Sequence, residues 1–408
     1  MRATILLTFA LAGVAAAQDW PQFRGPDGQG HSEAKALPLK WSEGAENIKW
    51  KVPIDGLGWS SPVVADGKIW LTTAAEGGKS LRVISLDAAT GKELKNVEVF
   101  RVEAPPKIHD KNSHASPTPI VEKDRVYVHF GTNGTACLTT EGKPVWKQAI
   151  KYSMVHGSGG SPAIVGDVLI FSCDGVDAQM VVGLDKKSGA IKWKTPREVL
   201  QIPKKFAFST PLVIDVKGVR QAVCPGAGAV SGLDPASGRP LWTVKYGTGY
   251  SNVPRPVFGH GLVFVSSGFD SPTLLAIKPD GRGDVTETHI AWKMTKGAPL
   301  SPSPVLVGDE LYMVDDRGTG SCVDAVTGKV HWQERIGDNF SASPIHAAGQ
   351  IYFLDENGGM TVVKADKTFT KLGKNDLKGR TLASPAPVEG ALFLRTDTQL
   401  FRIDAEAK

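Results

Sequence analysis

Aromatic, imidazole, amide and cationic side chains recur at corresponding places along the chain, in the stretches that precede a series of Pro residues. Such groups can hold an anionic or sugar-like ligand through ring stacking and charge-assisted hydrogen bonds. The alternative is structural, since Asn can cap turns and buried His is commonly satisfied by backbone carbonyls. The candidate ligand-binding residues are Trp59, His109, Asn112, His114, His156, Lys205, Tyr250, Asn252, Arg255, Asn339 and Arg380.

The spacing of these residues argues against a metal site or a nucleophilic site. His109, His114 and His156 show neither His-x-His nor His-x-x-x-His spacing, which would place two imidazoles on one metal ion. No Gly-x-Ser-x-Gly sequence stands at a strand-to-helix turn. We therefore predict no metal ion and no catalytic residue among these candidates.

The cysteine residues give no motif for zinc or haem, because no two of them have Cys-x-x-Cys spacing. Cys137 and Cys322 occupy a repeat position that otherwise holds small residues, so we interpret them as buried thiols. A disulfide between Cys173 and Cys224 is compatible with an exported protein, although its geometry does not follow from the sequence. The other residues at the small-residue position are Ser85, Gly183, Gly232 and Ala276.

A repeated unit of four short strands positions the candidate residues. Residues 303–332 show it most clearly, with a short apolar run, a Gly-Asp turn and three further strands. An Asp-x-x-x-Gly turn, with a Trp four residues beyond its Gly, recurs in phase with this pattern. The Pro that opens the first strand recurs at intervals of 40–57 residues, which are typical of propeller blades. These residues are Pro62, Pro119, Pro162, Pro211, Pro256, Pro304, Pro344 and Pro387.

The two ends of the chain are expected to share one blade. The last unit, which contains Pro387, supplies only three strands, whereas residues 47–54 form a strand with no unit before it. Trp50 would then take the place that Trp332 has in its own blade, and closure would remove the exposed sheet edges. We therefore predict an all-β, eight-bladed β-propeller of four-stranded blades, whose last blade is closed by the N-terminal strand.

The loops of such a ring decide where a binding site would lie. Loops from the fourth to the first strand, and from the second to the third, surround the mouth of the central channel, and binding residues tend to lie on such loops. The longest is predicted at residues 95–116, and Asp270, Asp315 and Asp316 are expected on second-to-third strand loops. Residues 280–287 lie on a third-to-fourth strand connection and are expected to form an ordinary surface turn.

Composition and charge indicate a globular, exported protein. The chain has 408 residues, 45 Gly, 27 Pro and a formal net charge of +5, with no basic block that would suggest nucleic-acid binding. Residues 1–17 have the pattern of a secretory signal with cleavage after Ala17, and no stretch is long enough for a membrane span. We predict an N-terminal extension at 18–46 and the propeller at 47–408, in a soluble periplasmic or extracellular protein.

The repeat resembles that of quinoprotein propellers, with its small residue, Asp-x-x-x-Gly turn and closing Trp. The whole chain is similar to bacterial exported pyrroloquinoline-quinone-like (PQQ-like) β-propeller repeat proteins of the quinoprotein alcohol dehydrogenase-like superfamily. Its Asp19–Pro26 stretch, DWPQFRGP, resembles the mature N-terminus of that group. The resemblance implies two roles, that of a quinone-dependent alcohol or sugar dehydrogenase and that of a lipoprotein assisting outer-membrane protein assembly.

Neither role transfers fully to the residues of this chain. The resemblance implies, for the dehydrogenases, adjacent cysteines against the quinone and calcium held by acidic groups, and this chain has no adjacent Cys pair. The lipoprotein would need a Cys after the signal, but the first Cys is Cys137. We therefore predict a monomeric, non-catalytic platform that needs no cofactor and binds a protein or glycan-like ligand at the channel mouth. The alternative is a dehydrogenase that holds PQQ and calcium in the channel.

Overall fold

The computed structural model describes residues 19–44, 47–198, 200–270 and 272–406. Within these residues, eight antiparallel sheets stand as blades around a central channel. The first strand of each blade is the innermost, and the first strands of blades 1 and 8 contact each other, which closes the ring. The structure confirms the prediction of an all-β, eight-bladed propeller. The predicted signal peptide at 1–17 lies outside the described residues.

The strands follow the chain in groups of four. The first strand, β1 (Ile48–Pro53), belongs to blade 8. Blade 1 contains β2 (Val63–Ala65), β3 (Lys68–Ala75), β4 (Ser80–Asp87) and β5 (Glu93–Arg101). Blade 2 contains β6 (Ile120–Glu122), β7 (Arg125–His129), β8 (Thr135–Thr139) and β9 (Pro144–Gln148). Blade 3 contains β10 (Ala163–Val165), β11 (Val168–Asp174), β12 (Gln179–Asp185) and β13 (Ile191–Pro196).

Blade 4 carries an additional strand that is donated by blade 5. It contains β14 (Leu212–Val216), β15 (Val219–Pro225), β16 (Ala229–Leu233), β17 (Pro240–Lys245) and the donated β21 (Gly283–Asp284). Blade 5 contains β18 (Val257–Gly259), β19 (Leu262–Ser266), β20 (Leu274–Ile277) and β22 (Ile290–Met294), with a helical turn α1 (Thr286–His289) before β22. Residues 280–287 were expected to form an ordinary surface turn, but part of this stretch pairs with a neighbouring blade.

The remaining blades return to four strands each. Blade 6 contains β23 (Val305–Val307), β24 (Glu310–Val314), β25 (Thr319–Asp324) and β26 (Val330–Arg335). Blade 7 contains β27 (Ile345–Ala347), β28 (Gln350–Leu354), β29 (Gly359–Lys364) and β30 (Lys371–Asp376). Blade 8 contains β31 (Ala386–Val388), β32 (Ala391–Arg395), β33 (Gln399–Asp404) and β1. Two 3-10 turns occur at Glu76–Gly78 and Gly131–Asn133.

The Asp-x-x-x-Gly turns are stabilised by local hydrogen bonds of the Asp side chain. In blade 6, Asp324 Oδ1 accepts the backbone N–H groups of Val326 and Thr327 and the Thr327 hydroxyl. Gly328 closes the turn at φ +74°, a left-handed conformation that favours glycine. Because these contacts lie within five residues, the turn is specified by its own sequence.

Five outer-strand Trp residues connect neighbouring blades, whereas Trp242 donates to Gln221 of its own blade. Trp193 pairs across the strands with Gly183, and its indole N–H donates to the Pro235 carbonyl of blade 4 at 3.0 Å. A side chain on Gly238 would lie 2.6 Å from the Trp193 ring, so this turn needs glycine for packing as well as conformation. Equivalent indole hydrogen bonds run from Trp50 to Ala89, Trp146 to Lys186, Trp292 to Ala325 and Trp332 to Asp366.

Blade 8 closes as the sequence predicts. Strand β1 pairs with β33, and Trp50 lies opposite Arg402 next to a bulge at Ile48. In blade 6, Trp332 lies opposite Cys322, and a corresponding register shift lies between Val330 and Trp332. Trp50 therefore takes the place that Trp332 has in its own blade.

Three details differ from the sequence interpretation. Pro385, rather than Pro387, precedes the first strand of blade 8, because β31 begins at Ala386. The long loop begins after Arg101 instead of at Lys95, since β5 continues to that residue. All four cysteines are buried and free, so no bridge joins Cys173 to Cys224.

The N-terminal segment, residues 19–32, lies across the channel and blocks it. Trp20 pairs with Val64 of blade 1, and the Pro21 carbonyl accepts the Val121 N–H of blade 2. Across the ring from blade 1, the Gln29 side-chain oxygen accepts the Phe258 N–H of blade 5, and Gly30 and Ser32 bond to His346 of blade 7. The segment therefore bridges first strands on opposite sides of the channel, and Trp20 is only 1% exposed.

Candidate functional site: a central cavity with a closed end

The central channel contains a cavity of about 330 Å³. Its walls come mainly from the loops that lead into the first strands, so the cavity opens at the mouth that the sequence predicted. Its lining combines aromatic rings with hydroxyl groups. The residues are Phe23, Trp59, Ser61, His109, Lys111, Asn112, Ser116, Thr118, His156, Gly159, Ser161, Phe206, Phe208, Thr210, Tyr250, Ser251, Val253, Phe269, Ser301, Ser303, Ser341, Ser343, Leu382 and Ser384.

A hydrogen-bonded pair of loops forms one side of the mouth. The His156 carbonyl accepts the backbone N–H of His109 at 3.2 Å and the Asn112 side-chain amide at 2.8 Å. The two imidazole rings lie edge to face with centroids 5.1 Å apart. Burial lowers the pKa of His156, and the neighbouring His109 and Lys204 lower it further. His156 is therefore biased towards its neutral form, in which one ring nitrogen donates a hydrogen bond and the other accepts one.

Aromatic rings continue this wall around the cavity. Phe206 packs against His156 and Tyr250, each with ring centroids 5.3 Å apart. The Lys204 ammonium donates to the Tyr250 hydroxyl at 2.6 Å and lies 4.3 Å from the centre of that ring. Such a wall offers apolar faces on which a sugar ring or a planar side chain can stack.

A ring of hydroxyl groups surrounds the deeper part of the cavity. Each Ser or Thr stands two residues before a first strand, and its oxygen accepts a backbone N–H from the preceding blade at 2.9–3.0 Å. Because the oxygen acts as acceptor, the hydroxyl hydrogen can donate elsewhere, and at Ser343 it donates to the Ser303 hydroxyl at 3.0 Å. The members of the ring are Ser61, Thr118, Ser161, Thr210, Ser303, Ser343 and Ser384.

Arg255 occupies the eighth position of this ring. Its backbone N–H donates to Ser303, but its guanidinium is 2% exposed and donates to the Phe23 carbonyl of the N-terminal segment at 2.7 Å. Arg24 inserts beside it, and burial together with Arg255 lowers the pKa of Arg24 to about 9. The two arginines fix the N-terminal segment across the channel, which leaves the cavity with one closed end.

A histidine pair at the same segment should make its attachment sensitive to acid. The rings of His31 and His346 lie 5.6 Å apart. Burial, together with the neighbouring His31, lowers the pKa of His346 to about 4. The pKa of His31 is also lowered, and burial is the largest cause. Asp27 acts in the opposite direction, and Arg24 adds to the lowering. Since the unfolded chain binds protons more readily, the free energy of unfolding should fall by about 2 kcal/mol between pH ~6.5 and ~4.

Urea denaturation at several pH values would measure this loss. His346→Gln should make the free energy of unfolding less dependent on pH. A residual pH dependence should remain, because burial lowers the pKa of His129 to about 3. A variant slope equal to that of the parent would contradict the role given to His346.

Five predicted site residues line the cavity together: Trp59, His109, Asn112, His156 and Tyr250. The other six do not. Arg380 lies at the rim, where its guanidinium donates to the Asp110 carbonyl at 2.9 Å and faces Trp59 at 5.9 Å. Asn339 is exposed, and Lys205 is half-buried outside the lining.

The remaining predicted residues have packing partners elsewhere. His114 packs against Gly78 of blade 1, where a side chain at Gly78 would lie 2.3 Å from the imidazole. Asn252 is fully buried and donates to Tyr246 and to the Ser266 carbonyl. Arg255 belongs to the closed end. His114 and His156 therefore do not form a pair, although the sequence places them on neighbouring loops.

Acidic groups near the mouth are engaged by the protein itself. Glu356 accepts hydrogen bonds from Lys111 at 2.7 Å and from Ser341 at 2.5 Å. Asp316 accepts the N–H groups of Leu300 and Ser301, and burial raises the pKa of this carboxyl. The described residues contain no group of three His, Cys, Asp or Glu side chains arranged to hold a metal ion.

Sequence reasoning missed the hydroxyl ring and the closed end. The ring has a sequence signal, because a Ser or Thr stands directly before the Pro that opens the first strand in seven blades. Phe23 and Arg24 have no such signal, since the N-terminal segment is outside the repeat.

Comparison with known proteins identifies the family of this chain. A family model described as outer membrane protein assembly factor BamB matches residues 47–199 and 282–407, which is more than half of the chain. The chain belongs to this BamB family. The resemblance to PQQ-like propeller repeats is thereby confirmed. A search of curated protein sequences found no match.

Solved structures share the fold of this BamB-family chain at low sequence identity. The crystal structure of BamB from Moraxella catarrhalis has a TM-score of 0.62 at 14% identity, covering 88% of this chain and 99% of that one. Quinohemoprotein alcohol dehydrogenase from Comamonas testosteroni has a TM-score of 0.67 at 13% identity, and the match covers 97% of this chain and 82% of that one. These similarities establish the propeller fold. No helix in the described ranges is long and apolar enough to span a membrane.

Proposed function

We propose that this protein is a non-catalytic binding platform that holds a glycan-like ligand or a segment of a partner protein in its central cavity. The observation that carries the proposal is the cavity itself, with aromatic walls at the mouth, a hydroxyl ring below them and a closed end. A volume of about 330 Å³ lies within the range of small-molecule sites. Family membership supports the interaction role, because the matching model is described as an assembly factor.

The hydroxyls and the rings suit a neutral, acceptor-rich ligand. Stacking on Phe206 or Tyr250 would bury an apolar face, and the hydroxyl ring would donate to oxygen atoms of the same ligand. Among the described lining residues, Lys111 is the only Lys, and it is already paired with Glu356. A large charge on the ligand would therefore add little to its binding free energy.

The quinone-dependent dehydrogenase remains the second candidate because the Comamonas enzyme shares the fold. Calcium prefers carboxylate and carbonyl oxygens, yet no Asp or Glu side chain belongs to the described cavity lining. The four cysteines lie in four different blades, and none lines the cavity. The residues present therefore do not fit a calcium-bound quinone.

Ligand binding should depend on the aromatic wall. We expect cellobiose, or an eight-residue peptide rich in Tyr and Ser, to raise the melting temperature of the parent protein. The double variant Phe206→Ser and Tyr250→Ser should bind at least about tenfold more weakly, because it loses both stacking faces. Isothermal titration calorimetry would give the two dissociation constants.

The control is Phe100→Ser, which removes a half-buried aromatic ring outside the cavity and should leave binding unchanged. Equal loss in both variants would contradict the cavity as the binding site. A second arm adds PQQ and calcium and records dye reduction with alcohols and sugars. Quinone-dependent reduction would overturn the non-catalytic function in favour of the dehydrogenase.

We further propose that the protein acts after export, in the periplasm or outside the cell, and as a monomer. The support for export is the signal-like pattern of residues 1–17.

A further inference from the structure

A second cavity, of about 620 Å³, lies between blades 3 and 4, apart from the central one. It is formed by turns between the first and second strands and between the third and fourth strands, on the side of the ring away from the mouth loops. We call it the blade 3/4 groove. Its lining residues are Val165, Gly166, Asp167, Val168, Lys192, Gly218, Val219, Arg220, Asp234, Pro235, Ala236, Arg239, Leu241 and Arg282.

Four cations are among the described residues that line this groove. Lys192, Arg220 and Arg282 are exposed and form no ion pair with any residue that the structure describes. Arg239 lies 3.9 Å from Asp234, whose Oδ1 accepts the Ala236 N–H. The other lining carboxylate, Asp167, pairs with Lys187. The groove therefore has an excess of positive charge.

Arg282 reaches the groove because blade 5 donates a strand to blade 4. Gly283 and Asp284 pair in parallel with Trp242 and Thr243. The Val285 side chain is 5% exposed within the blade 4 core, and Asp284 pairs with Lys245 at 3.0 Å. This docking places Arg282 in the groove lining together with Arg220 and Arg239. The insertion that the sequence identified as a turn thus adds a cation to the groove.

The floor of the groove is apolar. Val168 and Leu241 form its buried base, whereas Val219 is 45% exposed at the surface. A sulfated or phosphorylated polymer would satisfy the cations but would leave this apolar surface in water. An acidic peptide that also carries aliphatic side chains would cover the apolar surface and pair with the cations. Protein interfaces commonly combine apolar contacts with complementary charges in this way.

We infer that the blade 3/4 groove binds an acidic segment of a partner protein in which Asp or Glu residues alternate with aliphatic residues. The carboxylates would pair with Lys192, Arg220 and Arg282, and the aliphatic side chains would pack on Val219 and Leu241. This site is independent of the central cavity and of its ligand.

The test uses a fluorescein-labelled octapeptide of alternating Glu and Leu, with fluorescence anisotropy as the readout. The parent protein should bind it saturably at low ionic strength and more weakly as salt is added. Arg220→Glu with Arg282→Glu should weaken binding at least about tenfold, since two attractive charges become repulsive. Val219→Ser should weaken it several-fold through loss of apolar contact.

A matched double charge reversal, Lys329→Glu with Lys371→Glu, changes exposed lysines of blades 6 and 7 and should leave binding within about twofold. The Phe206→Ser and Tyr250→Ser variant should also bind like the parent. Absence of binding, equal effects of the two charge reversals, or equal binding of a Gln and Leu peptide would overturn the inference. So would tight binding of a heparin octasaccharide that is unaffected by Val219→Ser, because it would identify a polyanion site.

Discussion

Replacing Arg24 with Ala is expected to lower the free energy of unfolding by about 3–5 kcal/mol. The Arg24 guanidinium is 1% exposed and donates to the carbonyls of Ser303, Pro304 and Pro344, and to Gln29 of its own segment. Without it, buried carbonyls of blades 6 and 7 would lose their donors, and a void would remain on the channel axis. Urea denaturation followed by tryptophan fluorescence would measure the change.

Arg101→Ala provides the comparison for this substitution. Arg101 makes ion pairs with Glu76 and Glu98, but its side chain is 47% exposed, and exposed pairs contribute little to stability. We expect this variant to unfold close to the parent. Similar stability of the Arg24 and Arg101 variants would show that the N-terminal segment is not fixed by its arginine.

Replacing Gly183 with Val is expected to destabilise the protein by about 3 kcal/mol. A Cβ atom at this position would lie 2.3 Å from the Trp193 ring, which is closer than side-chain carbons approach each other. The indole would have to move and would lose its hydrogen bond to the Pro235 carbonyl of the next blade. The substitution therefore disturbs both the blade and its contact with blade 4. Thermal denaturation of parent and variant would measure the difference.

Ser85→Ala tests the same repeat position in blade 1. Ser85 lies opposite Lys95 instead of a Trp, and its buried hydroxyl has no partner among the described residues. Removing that hydroxyl should leave stability unchanged or raise it slightly. If Ser85→Ala lowered the stability as much as Gly183→Val does, the steric explanation would be contradicted.

The candidate site could be predicted only in part. The mouth and five of its residues followed from placing loops on a ring, because Trp59, His109 and Tyr250 precede first strands. The position of a residue on a loop does not fix the direction of its side chain. His114 therefore turns towards Gly78, and Asn252 and Arg255 turn into the protein interior.

The sequence alone determined the number of blades, their strands and the closure through Trp50. These features depend on short-range turn chemistry and alternating burial that each repeat carries in its own residues. Only the tertiary structure decided that residues 19–32 block the channel, that seven hydroxyls form a ring and that blade 5 lends a strand to blade 4. Each of these depends on contacts between residues far apart in sequence. A local pattern does not specify such contacts, even where the residues themselves recur, as the Ser or Thr before seven of the first-strand Pro residues does. Together these contacts give the cavity its closed end and the blade 3/4 groove its charge.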